Sequence, residues 1–303
     1  MTKNSVMQST WMLAAALCFT LLAAVIKVAA ESFSVFEIIF YRSLFGIFVT
    51  YWMLQHLGIS IKTSYPGLYL LRCAVGTFCI CMGVYIVWVL PLGTAQTLTY
   101  TSPLFFAFFT VVSAWRHRKA VSWFLVAAIM VGFFGIVLIL RPTVDPSEFT
   151  AMLVGVLVGV TGAWADWMIR MLTEKGEPPY RIVFYFLTTG TIVGAALTLM
   201  TGGFHAIDFY GLALILLIGL FGTLGQFTLT YAWKYGVPLI NTLYQYSGVV
   251  FAVILGMFLF DDSFDWITIF GIFIVCASGI AASLCGMKER ENKRDTSLLK
   301  DTQ

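Results

Sequence analysis

Tyr85-Ile86-Val87-Trp88-Val89-Leu90-Pro91-Leu92-Gly93-Thr94-Ala95-Gln96-Thr97-Leu98-Thr99-Tyr100-Thr101-Ser102-Pro103 is the stretch whose reading decides the fold. It is almost wholly apolar or hydroxyl-bearing, and it holds one tight turn, Leu90-Pro91-Leu92-Gly93. Long apolar runs flank it on both sides, so it reads as a hairpin of two membrane helices. A variant returns at Tyr231-Ala232-Trp233-Lys234-Tyr235-Gly236-Val237-Pro238, followed by Asn241 and Tyr244-Gln245-Tyr246-Ser247. Tyr85 and Tyr100 stand at the same separation as Tyr231 and Tyr246. Upstream, Gly76-Thr77 precedes the first pair as Gly222-Thr223 precedes the second.

Of 303 residues, 60% are hydrophobic and 11% charged, against about 25% charged in soluble domains. A chain this apolar cannot cover a water-facing surface. At roughly 20–30 residues per span and loop, the length makes about ten transmembrane helices. Expected spans are 10–30, 35–56, 67–89, 92–115, 121–140, 151–172, 181–201, 209–233, 237–260 and 265–286. Residues 287–303 read as a polar, disordered cytoplasmic tail. Val28-Ala29-Ala30 before Glu31 would pass as a signal-peptide cleavage site. The first run is nevertheless long enough to span, and the repeat needs it.

The net charge of +3 sits in loops, where it orients the chain rather than attracting nucleic acid. With the N-terminus inside, cytoplasmic segments carry nearly all the Lys and Arg, including Lys62, Arg116, Arg118, Lys119, Lys175, Arg181 and Lys234. The outside loops hold Arg141 alone. Both termini are therefore expected in the cytoplasm. Cys18, Cys73, Cys79, Cys81, Cys276 and Cys285 all fall in apolar segments without metal-ligand spacing to a histidine, and read as packing residues. His56, His117 and His205 fall in or near loops, which argues against a metal site.

A third match firms the repeat. Ile38-Ile39-Phe40-Tyr41 with Gly46 lines up with Ile182-Val183-Phe184-Tyr185 with Gly190. Three segments agree in order, at shifts of roughly 145 residues, between halves 10–140 and 151–286. Five spans per half is an odd number, so the second half enters the membrane from the opposite side. That is an inverted-topology repeat, which binds its solute near the midplane between the halves. Gly155 with Gly159, Gly190 with Gly194, and Gly219, Gly222 and Gly225 are placed to let helices approach closely.

At this point the sequence resembles the drug/metabolite transporter superfamily, EamA type. The residues that carry the likeness are the Leu-Pro-Leu-Gly-Thr-Ala turn, Tyr100-Thr101-Ser102-Pro103, and Phe36-Glu37-Ile38-Ile39-Phe40-Tyr41-Arg42, over nearly all of 10–286. The resemblance implies an all-α, ten-helix 5+5 protein of the bacterial inner membrane, working as a monomer or homodimer without a cofactor. Members move amino acids, vitamins such as riboflavin, S-adenosylmethionine, metallophores and drugs, some inward and some outward. One departure stands out. Where the family often has a Gly-Glu-Arg-like turn after the fourth span, this chain reads Ala114-Trp115-Arg116-His117-Arg118-Lys119, with no acid. Asp261-Asp262 keeps the acidic character after the ninth span.

Charges inside the spans are few, and each is a functional candidate because insertion costs roughly 2.5–3.5 kcal/mol. Lys27 lies near a helix end, with Glu31 four residues on. Arg42 either clamps a substrate carboxylate or pairs with Glu37. Arg72, one or two turns from the cytoplasm, reads as a snorkelling anchor. Asp166 either pairs with Arg170 one turn on, or binds a cationic substrate or proton. Tyr85, Trp88, Tyr100, Trp164, Tyr231, Tyr244 and Tyr246 are candidates to stack on a ligand. Gln96, Gln226, Asn241 and Gln245 either bond across helices or face the cavity. Trp115, Trp123 and Trp266 read as interfacial anchors.

His-Glu-x-x-His, Gly-x-Ser-x-Gly and P-loop patterns are absent, which weighs against a membrane-embedded enzyme and against direct ATP hydrolysis. A non-transporting receptor would bring a sizeable soluble domain. The expectation is a secondary carrier of a small organic metabolite, with export of amino-acid-like or amphipathic solutes ahead of vitamin or cofactor uptake.

Overall fold

The computed structural model describes residues 7–116, 123–139, 146–262, 265–281 and 284. The 287–303 tail, His117, Arg118, Lys119, Arg141 and Cys285 lie outside these residues. The described elements are helices: α1 (Trp11–Ala29), α2 (Val35–His56), α3 (Pro66–Val89), α4 (Leu92–Thr99), α5 (Ser102–Arg116), α6 (Trp123–Ile139), α7 (Pro146–Glu174), α8 (Pro179–Met200), α9 (Phe209–Tyr235), α10 (Pro238–Gln245) and α11 (Ser247–Phe260). The last is α12 (Trp266–Ala281). Among the described residues, seven helical stretches are long and apolar enough to cross a membrane, one of them running through the α10–α11 junction. The chain is thus an all-α polytopic membrane protein, and lipid explains why. A bilayer offers the backbone no hydrogen bonds, so each span must close its own.

Local chemistry sets the helix ends. Ser34 and Glu37 form a reciprocal capping box on α2, with Ser34 N–H donating to Glu37 Oε2 at 2.8 Å and Glu37 N–H to Ser34 Oγ at 3.3 Å. Asp208 caps α9 by accepting from Gly211 N–H at 2.7 Å. Pro66 and Pro179 occupy the first turns of α3 and α8, where a missing donor costs nothing. Leu90 and Pro91 separate α3 from α4, as the opening stretch predicts.

The expected spans 92–115 and 237–260 are not continuous helices. The first breaks at Tyr100-Thr101 and the second at Tyr246, so the two tyrosines that match in sequence both sit at helix breaks. Pro103 contributes to the first, because without an N–H it leaves the Thr99 carbonyl short of its helical donor. Thr97, Thr99 and Thr101 donate back to the carbonyls of Gly93, Ala95 and Leu98, at 2.7, 3.0 and 2.6 Å.

The main packing partners are α2 with α8, α1 with α9, and α3 with α7. Small residues make these approaches possible. A β-carbon at Gly190 would sit 2.5 Å from Ser43 Oγ, and one at Gly194 would sit 2.8 Å from the Phe40 backbone nitrogen. Gly155 and Gly159 receive Leu98 and Thr101 of the broken span, while Gly219 and Gly225 receive Phe45 and Phe19. Their expected packing role holds. Large apolar side chains, among them Phe209, Phe258 and Leu199, point outward toward lipid. Trp115, Trp123 and Trp266 are exposed at helix ends, where indole rings sit at the membrane–water boundary.

Candidate functional site

A cavity of about 200 Å³ lies within the bundle, bordered by residues of α1, α2, α3, α4, α5, α7, α8, α9 and α10. Three of its lining residues are of charged type, two basic and one acidic: Arg42, Arg72 and Asp166. Gln96, Gln226 and Gln245 add amides, and Tyr100 and Phe186 add rings.

Arg42 is 4% exposed, and its Nε has no hydrogen-bond partner among the described residues. Its side chain fits because position 222 on α9 is glycine. A β-carbon there would lie 2.7 Å from Arg42 Nε and 2.8 Å from its Cγ. The alternative pairing with Glu37 does not form. Glu37 instead accepts from His205 N–H at 2.6 Å and lies 2.7 Å from His205 Nδ1. Five residues along an α-helix is about 140° around it, so Glu37 and Arg42 occupy different faces.

Arg72 corrects an expectation. It is 3% exposed rather than snorkelling, and its Nε and Nη1 have no partner among the described residues. The guanidinium lies over the Phe186 ring of α8, 4.3 Å from the centroid. Gly76 on its own helix leaves the room, since any β-carbon there would collide with the guanidinium. Gly76 and Gly222, matched in sequence, thus each make space for one arginine. That glycine four residues on was the available signal that Arg72 turns inward.

Asp166 accepts a hydrogen bond from Gln245 Nε2 at 3.1 Å and is within Coulombic reach of Arg72. The alternative pair with Arg170 is replaced, because Arg170 Nε donates to Glu174 at 2.7 Å. Tyr100 borders the cavity with its ring against Gly248, and its hydroxyl has no partner among the described residues.

The structure brings Arg42, Tyr100, Asp166 and Gln245 together around the cavity, with Gln96 and Gln226 beside them, and places Tyr85, Trp88, Trp164, Tyr231, Asn241, Tyr244 and Tyr246 elsewhere. Tyr246 is buried with its ring against Gly279. Asn241 donates to the Ala232 carbonyl at 2.6 Å, tying α10 to the end of α9. Tyr231 bonds the Tyr180 hydroxyl and packs against the rings of Trp11 and Tyr235. Tyr244 packs on a separate core cluster around Met12 and Ile169, and Tyr85 on the main core. Trp88 and Trp164 are about half exposed on the outer surface, at 48% and 49%.

Two polar fastenings join elements distant in sequence. Lys27 Nζ, expected near Glu31, lies 2.9 and 3.3 Å from the two carboxylate oxygens of Asp262. Asp262 Oδ2 also accepts from Leu92 N–H at 2.8 Å, linking the α11–α12 junction to α1 and to the start of α4. Between α7 and α8, Glu177 accepts from the hydroxyls of Thr63 and Tyr69, at 2.9 and 2.8 Å, and from Arg181. Burial opposes ionisation of Glu177. The bonds from Arg181, Tyr69 and Thr63 outweigh it and hold the carboxyl below the usual carboxylate range.

Comparison with known proteins adds identity to this geometry. A pseudopaline exporter of Pseudomonas aeruginosa is 29% identical over 273 residues, covering 89% of this chain and 93% of its own. An S-adenosylmethionine uptake transporter of Rickettsia bellii is 25% identical over 243 residues, covering 79% and 80%. A solved crystal structure superposes with a TM-score of 0.68 over 94% of this chain and 99% of its own; at 15% identity it speaks to fold alone. The family and these relatives are named as transporters, not enzymes. The EamA-like transporter family model matches residues 7–141 and again 146–284, and the chain belongs to that family.

Proposed function

We propose that the chain is a secondary exporter of a small amino-acid-like or amphipathic metabolite, working by alternating access in the bacterial inner membrane. The observation that carries this reading is the cavity between helices of both sequence halves, bordered by two buried guanidiniums whose Arg42 Nε, Arg72 Nε and Arg72 Nη1 have no hydrogen-bond partner among the described residues. Buried cations left this way cost free energy unless an anionic group arrives to match them. The ten-span 5+5 arrangement belongs to the proposal. Counting α4 with α5 and α10 with α11 as single broken spans gives ten, divided between 10–140 and 151–286. Helix pairing supports inverted symmetry. The contact of α1 with α9 and that of α3 with α7 exchange under the repeat, and α2 with α8 maps onto itself. Rocking of one half against the other would then expose the cavity to each side in turn.

The substrate is revealed by comparing metabolites inside and outside cells with and without the gene. Export predicts that deletion raises one solute inside and lowers it outside. Unchanged pools under inducing conditions would refute a carrier role. A second reading is uptake of a vitamin or cofactor such as riboflavin or S-adenosylmethionine. It draws on the relatives named as S-adenosylmethionine uptake transporters, at 25% identity, and predicts the opposite change.

A further inference from the structure

We propose that the cavity selects an amino acid bearing a second carboxylate, with its two carboxylates on Arg42 and Arg72 and its ammonium against Asp166 and Gln245. This deepens the transport reading above and rests on it. The argument is a charge count at a built site. Lys27, Arg170 and Arg181 each have a carboxylate of this chain within hydrogen-bond distance. The two cavity arginines, both more than nine-tenths buried, leave three guanidinium nitrogens without an acceptor among the described residues: Arg42 Nε, Arg72 Nε and Arg72 Nη1.

Asp166 supplies a single negative charge against two positive ones, and Gln245 already occupies one of its oxygens. Phe186 lies 4.3 Å from the Arg72 guanidinium carbon and offers no hydrogen-bond acceptor in the plane of its ring, so Arg72 Nε and Nη1 keep their donors unmatched. In-plane N–H groups are the ones that bind carboxylates as a fork. A neutral zwitterion would match one guanidinium and leave the other uncompensated. A cationic amino acid would bring like charge against both. An amino acid with two carboxylates balances all three groups and leaves no net charge in the occupied cavity. Gly76 and Gly222 act as positioning residues, because each makes room for one guanidinium.

The test uses the whole chain, purified in lipid nanodiscs, with thermal unfolding read by tryptophan fluorescence. The probes are L-glutamate, L-2-aminoadipate, L-glutamine and L-lysine. A ligand that binds only the folded state raises the unfolding temperature in proportion to its affinity. Glutamate or aminoadipate should stabilise the chain at a concentration at least tenfold lower than glutamine, and lysine should not stabilise it. The glutamate-to-glutamine ratio is read on the unaltered chain, so it needs no variant to fold. In folded variants, R72Q and R42Q should each reduce that ratio toward one. G222A, whose β-carbon would push the Arg42 side chain aside, should likewise weaken glutamate relative to glutamine in the folded variant. Equal or stronger stabilisation by glutamine, or stabilisation by none of the four probes, overturns the proposal. If cells still export some other solute in a gene-dependent way, only the substrate class has failed. If no solute moves, the transport reading has failed with it.

Discussion

Asparagine at position 262 isolates what the Lys27–Asp262 fastening contributes to the proposed alternating access. Asp262→Asn keeps the side chain's size and an acceptor for Leu92 N–H, and removes the charge that Lys27 meets at 2.9 Å. A hydrogen bond between charged partners contributes about 1.5–3 kcal/mol. The Lys27 side chain is 20% exposed and that of Asp262 9%, so solvent screens part of this and the lower half of the range applies. A loss of about 1.5–2 kcal/mol raises the population of the state open on that face roughly 10- to 30-fold. Cys79 borders the cavity and is free, which makes it a native reporter. In a chain with Cys79 as its single cysteine, a membrane-impermeant thiol reagent applied to that face should label Asp262→Asn about 10 to 30 times faster than the parent. Lys27→Gln should match it, and the double variant should add little, because both remove one interaction. An unchanged or slower rate in Asp262→Asn, or fully additive effects, would refute the gating role.

The proposed topology predicts that reporter fusions after Asp145 and after Thr296 read outside and inside; both on one side would sink it. Glu177→Gln should destabilise the chain at neutral pH by about 1.5–3 kcal/mol, measured by thermal unfolding in detergent. The carboxyl is held below its ordinary value, so its stabilisation is present above about pH 4.3 and is lost as pH falls through the folded pKa. The parent should therefore lose stability on acidification more steeply than Glu177→Gln, and parallel curves would contradict the assignment. Gly194→Ala should cost about 1–3 kcal/mol, because its β-carbon meets the backbone of Phe40 rather than a side chain that can swing away. Gly83→Ala, which meets nothing within 4 Å, is the control. Equal unfolding temperatures for these two variants would show that α2 and α8 do not approach as closely as drawn.

What the sequence disclosed follows the range over which its signals act. Lipid imposes helices on any long apolar run, so the fold class was readable from composition, and Pro91 marked the hairpin because its effect is local. The break at Tyr246 was hidden, since Tyr-Ser-Gly carries no proline to announce it. Arg72 was misread for a different reason. Its distance from the helix end suggested snorkelling, but what turns it inward is Gly76 beside it together with Phe186, a ring 114 positions away. Asp166 had a plausible partner at Arg170, yet Arg170 has a second acid four residues further on, at Glu174. Local spacing could not choose between them; tertiary packing, which brings Gln245 to Asp166, did. The tyrosines were harder still, because the same residue type serves as helix break, core filler and lipid-boundary anchor.

Under the proposed repeat, the scaffold is symmetric while its charges are not, and that difference bears on how a carrier would commit its substrate. Gly76 and Gly222 are equivalent positions, as are Tyr100 and Tyr246 at the two breaks. Both cavity guanidiniums nevertheless come from the first half, and Asp166 and Gln245 come from the second. Phe186, which stacks on Arg72, stands one residue after Tyr185, just as Arg42 stands one residue after Tyr41. One half presents a cation where its counterpart presents a ring. A substrate carrying both charges must therefore touch both halves at once. If the halves exchange conformations, the same side chains can hold it before and after while the exit changes sides. Symmetry then supplies two access states of similar energy, and asymmetry of charge keeps the solute bound across their interchange. Moving the acid to the first half should separate these roles: in Asp166→Asn with Gln96→Glu, a structure that still folds and still exchanges access at Cys79 should no longer bind a zwitterion between its halves. Retained zwitterion binding in that double variant would show that the division of charge between halves is incidental.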